Sequence, residues 1–287
     1  MHIPDGFLSP PVWGTLDVLA VGSVALAARR AQRELDTSGE RRIPLLGVMG
    51  AFVFAAQMIN FPVGAGTSGH LVGGALLAIT LGPGPAAVVM TAILILQALI
   101  FQDGGIVVLG ANVCNMALAG VVAGYLPYRL WGSGRSRTAA MFLAGLTSVA
   151  VSAALALAEL RISGVPMPRP LLWMSVGLFL AGGVIEGAIT VAAVRAIERL
   201  NPLWVRESTP LRASQLAVLG IAAAVVVAVG VLLASSAPDA LQNILPATTS
   251  GIEWPWMRRA LAGLAAMMLI YVACALVGRR IARQRSA

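Results

Sequence analysis

The sequence predicts an all-α protein: a polytopic bundle of transmembrane helices. Three observations lead there. Of 287 residues, 58% are hydrophobic and 11% are charged, against about 25% charged in a typical soluble domain. The apolar residues fall in long runs divided by short polar stretches. The basic residues, all 20 of them Arg, lie between those runs, as topology determinants do. That distribution argues against nucleic acid as a partner despite the net charge of +8. Membrane lipid is the partner that so much apolar surface needs.

Nine apolar runs are counted, at roughly 11–28, 43–59, 70–82, 84–101, 106–127, 138–160, 171–194, 213–235 and 260–278. Most approach the roughly 17–25 residues of a spanning helix. The run at 70–82 is short and ends in Gly82-Pro83-Gly84-Pro85. It is either a tilted short helix or one arm of a re-entrant hairpin made with the next run. No basic segment precedes the first run, so it does not read as a secretory signal, and the mature chain is expected to begin at Met1.

Orientation follows from the arginines. With the N-terminus outside, sixteen of them fall in cytoplasmic loops and only Arg161, Arg169, Arg258 and Arg259 outside. This positive-inside bias predicts a cell-membrane protein with its N-terminus out and its C-terminus cytoplasmic. The segment 201–212 is polar, with two prolines and mixed charge, and reads as a cytoplasmic linker. It divides a seven-helix module, residues 1–200, from a two-helix hairpin at 213–287.

Two histidines are present, His2 and His70, and the topology puts both on the outer side. Histidine is the commonest metal-ligating side chain. A histidine at position two can chelate through the Met1 amine, its own backbone nitrogen and its imidazole, in fused rings close to one plane. His70 would supply a fourth nitrogen. A square of nitrogens points to Ni(II) or Cu(II), with cobalt a near competitor. The turn residues Pro4, Asp5 and Gly6, followed by apolar Phe7 and Leu8, suggest a tip that folds back as a plug rather than a frayed end.

Other polar residues leave choices open. Asp103, between the fourth and fifth runs, is a ligand, a partner of a ligating histidine, or a helix cap. Asn112 and Asn115 read as hydrogen-bonders between helices. Glu186 is mid-run, where an ionisable group is costly, and is either a packing hydrogen-bonder or a functional acid. Gly66-Thr67-Ser68-Gly69 matches a pattern seen around intramembrane serine nucleophiles. A hydrolase using Ser68 is therefore the alternative, though its base would have to be His70, only two residues away.

Several stretches together resemble a known family. They are Met1-His2-Ile3-Pro4-Asp5-Gly6-Phe7-Leu8, Gly69-His70-Leu71-Val72-Gly73-Gly74, Gln102-Asp103-Gly104-Gly105, Leu109-Gly110-Ala111-Asn112, Asn115-Met116 and Glu186-Gly187-Ala188-Ile189-Thr190. The family is the substrate-binding membrane component, CbiM/NikM type, of energy-coupling factor importers for nickel and cobalt. The resemblance implies a seven-helix component, not an enzyme, that captures nickel(II) or cobalt(II) as transported substrate through Met1, His2 and His70. It also implies partners: a transmembrane coupling subunit and cytoplasmic ATPase subunits. Residues 213–287 resemble a two-helix accessory module with the signature Pro-Asp-Gly-Leu-Glu. Here Pro238-Asp239-Ala240-Leu241-Gln242 departs from it at two of five positions.

Overall fold

Residues 1–38, 43–58, 60–64, 67–200 and 205 are described by the computed structural model. The expected linker at 201–212, Val205 excepted, and the two-helix module at 213–287 lie outside the described residues. Within them the chain forms seven main helices: α1 (Pro10–Ser38), α2 (Ile43–Gln57), α3 (Gly74–Leu81), α4 (Pro83–Phe101), α5 (Leu109–Trp131), α6 (Arg137–Ile162) and α7 (Arg169–Leu200). Five of these are long and apolar enough to cross a membrane, and α2 and α3 are shorter. The protein is a multi-pass membrane protein, and its described residues are predominantly helical.

The segment between α2 and α3 contains a short antiparallel hairpin. Strand β1 (Asn60–Gly64) pairs with β2 (Thr67–His70), with His70 opposite Asn60. After it, 71–73 is non-helical, and Leu71 and Val72 are buried. Irregular backbone at membrane depth is tolerated only where protein covers it and satisfies its polar groups. Both conditions are met here, as the site below shows.

The run at 70–101 forms two helices, α3 and α4, that meet at Gly82. Glycines at 82 and 84 leave room for α1: a Cβ on Gly82 would meet Glu34 Oε2 at 2.8 Å, and one on Gly84 would meet the Ala31 nitrogen at 3.1 Å. Glu34 lies about 36 Å along the helix from Pro10, more than the roughly 30 Å hydrocarbon thickness. So the turn between α3 and α4 reaches the far end of α1. Helix α3 itself rises only about 12 Å, and the hairpin and residues 71–73 lead into it from the side of the N-terminal tip.

Close helix contact is made through small residues. A Cβ on Gly145 of α6 would lie 2.7 Å from Gly187 of α7, and one on Gly187 would lie 2.6 Å from the Phe142 carbonyl. Such approach is how helices associate where no hydrophobic force separates them from lipid. It also brings Glu186, the neighbour of Gly187, into the bundle. Ala51 and Ala55 of α2, one turn apart, are buried within the same bundle.

Candidate metal site

The N-terminal tip is a plug. His2 is 4% exposed, and Met1 and Ile3 are buried with it. The tip runs along the segment joining α4 to α5. The Ile3 N–H donates to Asn112 Oδ1 at 2.8 Å, and Asn112 Nδ2 donates back to the Ile3 carbonyl at 3.0 Å. The Gly105 N–H also donates to that carbonyl, at 2.9 Å. Gly105 has no room for a side chain, since a Cβ there would strike the Asp5 carboxylate and lie 2.5 Å from the Asp5 nitrogen.

Asp5 does more than form a turn. Its carboxylate accepts N–H bonds from Ile106 at 3.0 Å, Val107 at 2.9 Å and Val108 at 3.3 Å. These donors lead into Leu109, the start of α5, where a helix leaves N–H groups without internal partners. Asp5 thus holds the turn that leads into α5 from the far end of the sequence. Within the first turn of the helix itself, Asp17 of α1 accepts the Gly110 N–H at 2.8 Å.

His70 is held from the opposite side. Its Nδ1 is 2.9 Å from the Leu71 carbonyl. Glu186 of α7 accepts the Val72 and Gly73 N–H groups, each at 2.7 Å, one per carboxyl oxygen. Gln57 of α2 donates from Nε2 to the Val72 carbonyl at 2.6 Å and accepts from Gln97 Nε2 at 2.7 Å. Gly73 adopts φ +77°, and Val53 occupies the space a side chain would need. The polar groups of this non-helical segment therefore find partners on two helices, α2 and α7, with Gln97 of α4 holding Gln57 from behind.

Tip and turn converge. The Met1 amine donates to His70 Nε2 at 3.1 Å. The rings of His2 and His70 stack, 5.2 Å between centroids and 16° from parallel. Asp103 Oδ2 is 3.8 Å from His2 Nε2, so of its possible roles the structure places it beside a histidine. Met1, His2, His70 and Asp103 are brought together; Asn115 is not among them. Asn115 Nδ2 donates instead to Glu159 Oε2 at 2.8 Å, between α5 and α6. Ser68 lies in β2 opposite Pro62. Cys114 Sγ faces the Leu16 carbonyl at 3.6 Å, half-buried in packing. Among the described residues no cluster of three or more His, Cys, Asp or Glu side chains could hold a metal. A metal at this tip would have to draw on main-chain and terminal nitrogens.

Sequence reasoning missed Gln57 and the hold of Asp5 on residues 106–108, and it assigned Asn112 to helix packing. The available signal for Asn112 was its position one turn into a span, directly beyond the Gly-Gly loop that admits the tip.

Fold and site together define a multi-pass membrane protein whose buried N-terminus meets a histidine turn inside the helix bundle. The chain belongs to the CbiM family, described as the cobalt uptake substrate-specific transmembrane region, which matches residues 2–204. A Haloquadratum walsbyi protein named for metal transport is 40% identical over 206 residues, 70% of this chain and 92% of the relative. An Archaeoglobus fulgidus protein named as a fused nickel transport protein, NikMN, is 38% identical over 207 residues, 70% and 67% of the two chains. A crystal structure of a transition metal transporter superposes with TM-score 0.59 at 30% identity, covering 71% of this chain and 96% of the other. The protein is thus a membrane component of nickel or cobalt transport, not an enzyme, and the hydrolase alternative finds no support.

Proposed function

We propose that the chain captures Ni(II) or Co(II) at the outer face of the membrane for ATP-driven import. The cargo is held by the Met1 amine, the His2 backbone nitrogen and Nδ1, and His70 Nε2. The observation that carries this reading is the 3.1 Å separation of the Met1 nitrogen from His70 Nε2. Metal–nitrogen bonds of about 2.0 Å put adjacent corners of a square about 2.8 Å apart. His2 would chelate through Nδ1, the ring nitrogen its own backbone can reach, leaving Nε2 toward Asp103 to orient the ring. A square of nitrogens slightly favours nickel, and the NikMN relative is named for nickel.

The outer location rests on the arginine distribution. The resemblance to energy-coupling factor importers supplies the partners: a transmembrane coupling subunit and cytoplasmic ATPase subunits. The experiment is metal binding by the purified full chain against a version with one Ala inserted between Met1 and His2. Insertion breaks the fused chelate rings while leaving every helix unchanged. Its cost should exceed the roughly 10–100-fold typical of losing an outer partner of a metal site. Equal affinity of the two proteins would remove the site.

A further inference from the structure

Glu186 sits in the middle of α7 and is 1% exposed. An ionisable side chain in a membrane span is costly, and its presence asks for a reason. Both of its carboxyl oxygens accept a backbone N–H, which is how an acceptor-only carboxylate bonds. One of these bonds leads onward. The Val72 N–H belongs to the same peptide unit as the Leu71 carbonyl. That carbonyl is 2.9 Å from His70 Nδ1. A carbonyl oxygen has no proton to give, so Nδ1 carries the hydrogen. Nε2, the nitrogen that faces the Met1 amine, is then the one with the lone pair.

We propose that Glu186, the Leu71–Val72 peptide unit and His70 form a relay that fixes the His70 tautomer and strengthens Nε2 as a metal ligand, which makes Glu186 a positioning residue for the transported cation. The proposal rests on the reading of His70 as a ligand. Its physical basis is polarisation. A carboxylate drawing on the N–H side of a peptide makes the carbonyl side a better acceptor, and bonds in such a chain strengthen one another by about 10–30% each. Ligating histidines usually donate their second N–H to a carboxylate or a carbonyl. Here the carbonyl is direct and the carboxylate stands behind it.

The second Glu186 oxygen pins the next peptide unit, Val72–Gly73, and so anchors the segment that follows the relay. It holds the Gly73 N–H at 2.7 Å, while Gln57 holds the Val72 carbonyl at 2.6 Å from another helix. A glutamine at 186 would offer one acceptor and one donor to two N–H donors, so it would lose one bond and repel at that position.

The test reads the histidine directly. The chain has two histidines, so NMR of full-length protein with isotope-labelled histidine shows two rings, and His70→Ala identifies which is which. In metal-free wild-type protein His70 is expected as the Nδ1–H tautomer. In E186Q it becomes a mixture of tautomers, with E186D in between. Nickel affinity should fall by roughly 10–100-fold in E186Q, and E186Q should add nothing in a protein already lacking the His70 ring. If E186Q does not fold, E186D against wild type makes the same comparison, because its shorter carboxylate cannot reach both N–H groups. Unchanged His70 signals in a folded variant overturn the relay. A changed tautomer with unchanged nickel affinity overturns the reading of His70 as a ligand, and with it the role of Glu186 toward the cargo.

Discussion

Asn112 pairs with Ile3 as one strand pairs with another, accepting the Ile3 N–H at 2.8 Å and donating to its carbonyl at 3.0 Å. The pairing fixes the backbone one residue beyond His2 and so sets where the tip's nitrogens arrive. Asn112→Leu removes both bonds at similar volume and leaves the buried Ile3 N–H without its acceptor. Such a group costs about 1–3 kcal/mol. The expected outcome is faster hydrogen exchange at residues 2–5 and weaker nickel binding, with the helical content of the protein unchanged by circular dichroism.

Gly105→Ala tests the docking groove. Its Cβ would meet both the Asp5 carboxylate, itself held by three N–H groups, and the Asp5 main-chain nitrogen. The tip must move away, so nickel affinity should drop. The control is Gly14→Ala on α1, where nothing lies within 4 Å of the added carbon. That change should leave affinity unaltered and, by helix propensity, leave stability equal or slightly higher. Equal affinities for the two variants would count against a tightly seated tip.

Asp5→Ala strips the shared acceptor from the N–H groups of residues 106–108. A lost hydrogen bond of this kind costs about 1 kcal/mol net, which is about a fivefold change in local opening. Amide exchange at these positions should accelerate accordingly, and bound nickel should leave faster. Asp5→Asn, which keeps an oxygen acceptor, should fall between the two.

Orientation is tested by labelling. In a background with Cys114 and Cys274 replaced by Ser, Ser133→Cys lies in the exposed connection between α5 and α6. Pro166→Cys lies in the exposed connection between α6 and α7. A membrane-impermeant thiol reagent applied to intact cells should modify the second and spare the first. The reverse pattern would invert the proposed topology and put the tip in the cytoplasm.

The sequence by itself determined the class of protein. Hydropathy is a property of each residue against its solvent, so long apolar runs announce membrane helices without reference to one another. His2, His70, Asp103 and Glu186 stood out for a related reason, as groups whose chemistry is rare or costly where they lie. Only the tertiary structure decided which polar groups meet. Met1 and His70 are 69 positions apart, Asp5 holds a turn about a hundred residues away, and Asn112 turns to Ile3 rather than to a neighbouring helix. It also decided that a non-helical segment precedes α3, because that depends on Gln57 and Glu186 being near enough to satisfy its peptide groups. Partnerships between buried polar groups are pairwise and geometric. They exist only once close packing through glycines such as Gly145 and Gly187 has brought the helices into place.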